Sequence, residues 1–272
     1  MLENFVVVVK GGGDLGTGAA WRLHRCGFRV LVTETAQPTV IRRTVAFASA
    51  VYEGTITVDG VTARRVEDEA GIWAAWAAEE VPVVVDPQAE WVRRLRPQAV
   101  VDAIMAKRNT GTRITDAPIV VALGPGFVAG VDCHAVVETN RGHNLGRVIL
   151  EGSAEPNTGV PGEIGGESAR RVLRAPKDGL FRGVRAIGDI VRAGDVVAYV
   201  DDVPVLSQLD GVLRGLLHDG LRVHTGMKVG DVDPRAVVSH CFTISDKALA
   251  IGGGVVEAIL YLARRVSSLQ WA

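Results

Sequence analysis

Aromatic residues are scarce in this chain: 5% of 272, with three tyrosines, six phenylalanines and five tryptophans. A surface that stacks the bases of single-stranded nucleic acid is therefore not expected. Neither sign of charge is in excess. Thirty Lys and Arg against 31 Asp and Glu leave a formal net charge of −1, so no overall field attracts nucleic acid or an anionic membrane. Cysteine is short as well. Cys26, Cys133 and Cys241 stand far apart, and no pair has the spacing of a zinc or redox motif. Their odd number suits the reduced thiols of a cytosol. No apolar run reaches the ~18 residues of a transmembrane helix. The opening MLENFVVVVK lacks a basic n-region and a long apolar stretch, so a signal peptide is not expected. These absences predict a cytoplasmic protein with no zinc-spaced metal site, no nucleic-acid partner and no membrane partner.

What is present is an ordinary globular composition, 47% apolar and 22% charged, at a length that buries a core easily. Strand-like and helix-like patterns alternate over the first hundred residues. The β-branched run 5–9 reads as a strand buried on both faces, 16–26 as a helix and 28–33 as the next strand. A helix over 67–80 and strands over 81–85, 99–104 and 119–123 continue the alternation, which predicts βαβ units. Glycine becomes frequent from 128 to 174, without a clear period. Short β runs with Gly-Asp turns follow, in two similar halves, and the last stretch is apolar at helical spacing. The expected fold is α/β: a Rossmann-like parallel-sheet domain over 1–127, a Gly-rich connecting segment over 128–174, a small all-β barrel-sandwich-like module over 175–235, and a C-terminal helical segment over 236–272. A carrier of covalent biotin or lipoate needs a lysine between the two halves of such a module. Residues 199–204, YVDDVP, hold none, and Met227-Lys228 falls in the wrong half.

The densest signal is FVVVVKGGGDLGTGAA. Gly11, Gly13 and Gly16 fit G-x-G-x-x-G between a strand and a helix: one glycine for the tight turn, one for backbone approach to a pyrophosphate, one for close helix–strand packing. The helix N-terminus adds N–H donors. Glu34 ends the second strand, where an acid binds a ribose hydroxyl and favours NAD over NADP. Gly11, Gly13, Asp14, Gly16 and Glu34 are thus candidate cofactor-binding residues, against the alternative of a tight turn that binds nothing. Lys107 follows one buried strand and Gly124 and Gly126 follow another. Ligands bind at such strand ends in open α/β sheets, so these residues join the candidate set, although Lys107 also reads as an ordinary solvated charge.

Asp132-Cys133-His134 and, further on, Arg141 and His143 gather reactive types. Cys133 beside His134 suggests a thiolate nucleophile or a pair that binds a metal, with His143 a further catalytic candidate. The alternative is a small core thiol and a histidine satisfying the backbone, and neighbours on a strand point to opposite faces. Arg141 suits a phosphate or a structural turn.

Several segments carry a family resemblance: VVVVKGGGDLGTGAAWRL, VVDAIMAKRNTGT, LGPGFVAGVDCHAVVETNRGHNLGRVI, NTGVPGEIGG, DGVLRGLLHDG, KVGDVDPR and ISDKALAIGGGVVEAIL. In this order they resemble the YqeB family of selenium-dependent molybdenum hydroxylase system proteins, with a distant likeness to XdhC-type maturation factors. The resemblance implies an accessory role in maturing molybdenum hydroxylases and a ligand that is molybdenum cofactor or a nucleotide. It also implies a hydroxylase, or its other maturation factors, as partner. An NAD(P)-dependent oxidoreductase and a non-catalytic adaptor docking a hydroxylase are the alternatives, so an enzymatic role stays open. A small phosphate-bearing ligand and a homo-oligomeric state complete the expectations.

Overall fold

The structure is a computed structural model describing residues 4–159 and 162–266. Residues 1–3 of the opening segment, Val160 and Pro161 of the NTGVPGEIGG segment, and residues 267–272 lie outside the described residues. The chain divides into two compact units: Met1–Pro38, Ala46–Asn157 and Ile244–Ala272 form the first, Thr39–Val45 and Thr158–Thr243 the second. Among the described residues no helix is long and apolar enough to cross a membrane.

The first unit is built on one nine-stranded sheet. Its elements are β1 (Val6–Lys10), α1 (Asp14–Arg25), β2 (Arg29–Glu34), α2 (Ala50–Glu53), β3 (Thr55–Val58), β4 (Val61–Arg65), α3 (Glu69–Ala77), β5 (Val81–Val85), α4 (Glu90–Leu95), β6 (Ala99–Asp102), β7 (Ile119–Leu123), β8 (Ala135–Val137) and β9 (Val148–Ile149). The strand order is β3-β4-β5-β2-β1-β6-β7-β8-β9. The β-branched runs explain the centre. Val7, Val8, Val9, Val100, Val101, Val120 and Val121 are fully buried, as strands covered on both faces require. Ile72 and Ala75 of α3, Trp91 of α4 and Phe127 pack on Val8, Leu31, Val84, Val100 and Val136, and a fully buried side chain such as Leu31 contributes about 1.5–3 kcal/mol.

The expected Rossmann-like domain over 1–127 is overturned by this sheet. The strands from β4 to β8 are parallel, but β3 pairs β4 antiparallel and β9 pairs β8 antiparallel, so the sheet is mixed at both edges. The connections from β6 to β7 and from β7 to β8 contain no helix, and β8 and β9 extend the sheet well past residue 127. The missing cover comes from the far end of the chain. Helix α5 (Asp246–Ala263), capped by the Ser245 hydroxyl accepting the Ala248 N–H at 3.2 Å, belongs to this unit and lies against α1. Local periodicity sees each strand and helix but neither the antiparallel edges nor a helix returning from the far end of the chain.

The α1–α5 contact explains the GGG inside a helix. A Cβ on Gly252 would sit 2.4 Å from the Gly18 carbonyl oxygen, whereas one on Gly253 would meet nothing within 4 Å. The Arg22 Nε also donates to the Leu249 carbonyl across this contact at 3.0 Å. Gly253→Ala is therefore expected to stabilise the first unit by about 1 kcal/mol, the intrinsic cost of a helical glycine. Gly252→Ala is expected to destabilise it despite the same gain in propensity, as overpacking does, by roughly 1–3 kcal/mol. Urea midpoints of the two variants check the opposite signs.

The second unit holds β10 (Val172–Arg174), β11 (Gly179–Gly183), β12 (Ile190–Val191), β13 (Val196–Val200), β14 (Val203–Leu206), β15 (Gly211–Leu216), β16 (Arg222–Val223) and β17 (Lys228–Asp233). They form two antiparallel sheets, β10-β17-β15-β12 and β14-β13-β11-β16. Phe181, Val197 and Val200 from one and Leu213, Leu216, Val229 and Val232 from the other share one core.

Candidate functional site

Strand order places the candidate site. From β1 the chain moves to β2 on one side of the sheet and later to β6 on the other, so β1 and β6 are neighbours whose connections diverge. A crevice outside the carboxyl ends of such strands is where ligands bind in open α/β sheets. Lys10 ends β1 and Asp102 ends β6, paired in register. The Lys10 ammonium lies 3.7 Å from the Asp102 carboxylate and donates to the Thr112 hydroxyl at 2.5 Å, and that hydroxyl donates to Asp102 at 2.5 Å. Asp102 and Thr112 are buried. The Asn109 carbonyl oxygen accepts the Gly111 and Thr112 N–H groups at 2.8 Å each, shaping the turn that delivers Thr112. A charged pair thus fastens two adjacent strand ends and the loop between β6 and β7 in one place.

The glycine loop wraps the same end. Gly11 has φ +92°, a region glycine occupies without strain, and its Cβ position is 3.0 Å from the Ala103 oxygen and the Ile104 Cα. A Cβ on Gly16 would lie 2.1 Å from the Gly11 oxygen. The Gly12 carbonyl accepts the Ala48 N–H at 2.8 Å and the Thr17 hydroxyl at 3.0 Å. Gly13 differs. Its φ of −62° suits any residue, and a Cβ there would meet nothing within 4 Å. Packing accounts for glycine at 11 and 16 and leaves Gly13 facing open space ahead of α1, whose first turn carries Asp14.

Glu34, at the end of β2, accepts the Gly12 N–H and, at 3.3 Å, the Thr35 N–H. Burial pushes its carboxyl above the ordinary glutamate range, against the pull of those two bonds. A carboxyl that binds its proton more tightly when folded costs stability as pH rises from the unfolded value of about 4.3. Glu34→Gln should therefore gain stability over the parent with rising pH through that window and hold a constant advantage above it. Denaturant titrations at a series of pH values test this, and a variant whose difference from the parent ignores pH would contradict it.

Two further loops touch this end. Met105 and Lys107 adopt left-handed backbone, φ +60° and +61°, strain that is stored preferentially at functional segments. Lys107 is exposed and its ammonium donates to Asn157 at 2.9 Å. Gly126, φ +108°, presses on Arg108, whose backbone N and Cα lie 2.6 Å from its Cβ position, and Gly124, φ +71°, presses on Thr139. Gly11, Gly13, Asp14, Gly16, Glu34, Lys107, Gly124 and Gly126 are thus gathered around the carboxyl ends of β1, β2, β6 and β7.

The reactive cluster lies beside this end. Cys133 and His134 precede β8, and Asp132 accepts the Asn109 side-chain N–H at 3.4 Å, next to the turn that delivers Thr112. Cys133 is fully buried in the apolar core, and burial, with the Asp132 carboxylate beside it, pushes its thiol up to about 12. A thiol held protonated is no nucleophile. The His134 Nδ1 accepts the Val120 N–H at 3.0 Å, and burial lowers its pKa. His134 thus ties the start of β7 to the segment before β8. Arg141 is taken by a two-pronged ion pair with Asp246 at the start of α5, at 2.8 and 3.1 Å, and His143 is exposed in the same turn. Among the described residues no group of three or more His, Cys, Asp and Glu side chains is placed to hold a metal ion.

Sequence reasoning missed Lys10, Asp102 and Thr112. A charge of opposite sign closing each of two buried β-branched runs, VVVVK and AVVD, was the available signal.

No family model matches the chain. Among curated proteins it is 51% identical over 257 residues to the uncharacterized protein YqeB of Escherichia coli strain K12. The match covers 94% of this chain and 48% of YqeB, so the chain spans about half the length of that relative. Among solved structures, a succinylglutamate desuccinylase/aspartoacylase from Rhodobacter sphaeroides covers 84% of each chain at 17% identity and a TM-score of 0.27. The ectoine utilization protein EutE (DoeB) from Ruegeria pomeroyi covers the same shares at 13% and 0.25. TcdA (CsdL) covers 97% of this chain and 89% of its own at 12% and 0.31. Superpositions this loose carry no argument about fold or chemistry.

Proposed function

We propose, for a chain that is a relative of YqeB over nearly its whole length, that the first unit binds a phosphate-bearing ligand, a nucleotide or a molybdenum-cofactor-like molecule, as an accessory factor in maturing molybdenum hydroxylases. The observation that carries the ligand reading is Gly13. It is the loop glycine that neither conformation nor packing demands, and it stands over open space at the start of a twelve-residue helix. Backbone N–H groups at such a helix end, with the positive end of its dipole, favour an anion. The donor set fits the phosphate end of either ligand: the backbone from Gly13 into the first turn of α1 and the exposed Lys107 ammonium. The maturation role is supported by the motifs shared with the YqeB family.

The test is thermal shift of the full chain with NAD, NADP, ATP, CTP and molybdenum cofactor. At 100 times its dissociation constant a ligand stabilises by about 2.7 kcal/mol. Gly13→Ala fits the backbone, so it should leave the unliganded midpoint within a few degrees while abolishing the shift. A normal shift in that variant would place the ligand elsewhere, and a shift with dinucleotides alone would refute the maturation ligand.

A further inference from the structure

The carboxyl end of β1 carries a lysine that its neighbours use only in part. Lys10 follows Val8 by two residues and shares its face of the sheet, where Val8 packs with Ile72, Trp91, Val100 and Phe127. Its side chain is 12% exposed, neither sealed in the core nor free on the surface. An ammonium has three N–H donors and no acceptor. Among the described residues Lys10 has one hydrogen-bond partner, the Thr112 hydroxyl at 2.5 Å. The Asp102 carboxylate, at 3.7 Å, is close enough for an ion pair and too far for a hydrogen bond. Two donors are left over. Thr112 is itself fixed by donating to Asp102 at 2.5 Å, so the ammonium is held in place rather than swinging on its four-carbon stem. Lys10 also leads directly into the glycine loop, and Gly11 between Lys10 and Gly13 packs on Ala103 and Ile104 after β6. Charge decides what the two donors suit. Lys10 and Asp102 neutralise each other, so a second anion placed on Lys10 would stand uncompensated with a carboxylate close behind it. A neutral oxygen acceptor, an amide or ring carbonyl, takes charge-assisted hydrogen bonds and leaves the pair balanced.

We propose that Lys10 contacts the ligand, donating to a neutral carbonyl oxygen on its body, with Thr112 and Asp102 as the positioning residues that hold the ammonium. The proposal rests on the reading of the first unit as a phosphate-ligand site, and it narrows the ligand to a phosphate ester whose body bears a carbonyl. NAD and NADP carry a nicotinamide carboxamide, CTP a cytosine ring carbonyl and molybdenum cofactor a pterin ring carbonyl. ATP carries none.

The experiment is calorimetric titration of the full chain with these five ligands. The parent should bind at least one of the four carbonyl-bearing ligands about tenfold or more tightly than ATP, the worth of a hydrogen bond to a charged group. Lys10→Met with Asp102→Leu removes both charges together, and its affinity for that ligand should fall to the level of ATP while its unliganded transition stays cooperative. Thr112→Val keeps both charges but frees the ammonium. It should weaken the same ligand and leave ATP unchanged, whereas a damaged loop would weaken both, and it decides the matter if the double variant does not fold. Gly13→Ala should weaken ATP and the preferred ligand alike. ATP binding as tightly as the other four in the parent, or a preference over ATP that survives in both Lys10→Met/Asp102→Leu and Thr112→Val, would overturn the role of Lys10 while the loop reading stands. A parent that binds none of the five would overturn both.

Discussion

Replacing Asp233 by alanine is expected to destabilise the second unit by about 3–5 kcal/mol, the cost of leaving a buried charge without its partner. Arg214 would suffer most. It is 5% exposed, and with Asp233 gone its Nε still donates to the His240 carbonyl at 3.2 Å while its Nη1 loses the carboxylate. Arg235, half-exposed, can turn to water and contributes little to the loss. The same carboxylate gives the second unit an acid limit. Burial alone would raise Asp233, but hydrogen bonds from Arg235 and the charge of Arg214 hold it far below the usual carboxylate range, and Asp231 is lowered by Arg42 and its neighbours despite its burial. A carboxyl with a depressed folded pKa contributes stability above its unfolded value of about 3.9 and loses it as pH falls from there toward the folded value. Calorimetry from pH 7 down to 2 should show the second unit's transition falling steeply below pH 4 in the parent and much less in Asp233→Ala. A variant within 1 kcal/mol of the parent at pH 7 would mean that Arg214 finds water.

Asp102→Ala should cost the first unit a comparable ~3–5 kcal/mol, and here the loss falls on the candidate site. Lys10 would keep Thr112 as its partner, and Thr112 would lose its acceptor. The loop after β6 is anchored through that hydroxyl, and Ala103 and Ile104 of the same loop support Gly11. A double variant, Lys10→Met with Asp102→Leu, removes both charges together and should recover much of the loss, since a buried pair replaced by apolar groups is often neutral. Urea unfolding of the single and double variants measures this coupling. Additive losses would show that the pair does not act as a unit.

Much of the first unit was legible because its signals are local. The strands over 81–85 and 119–123 fall where their β-branched runs put them, and the glycine loop sits between β1 and α1. The rest is set by partners distant in sequence. The hairpin β3–β4, with its two-residue Asp59-Gly60 turn, has too few apolar residues to stand out as strands. Helix α5 reads as amphipathic, but nothing in its own residues says that Gly252 meets Gly18 of α1. The candidate site shows the same divide. Glycines 11, 13 and 16 look alike in a motif, yet only the fold separates two that packing requires from one that it does not. Cys133 and His134 look alike as reactive neighbours, and only the fold shows one thiol fully buried and one imidazole accepting the Val120 N–H. Nothing local marks Asp231 and Asp233 as buried, because the arginines that answer them include Arg42, 189 residues from Asp231.

Amide hydrogen exchange of the full chain, with and without the ligand that gives the largest thermal shift, tests the central claim most directly. A ligand at the switch between β1 and β6 should slow exchange in residues 12–16 and 103–108, and the slowing should vanish in Gly13→Ala. Slowing confined to other segments, with 12–16 unchanged at saturating ligand, would contradict it.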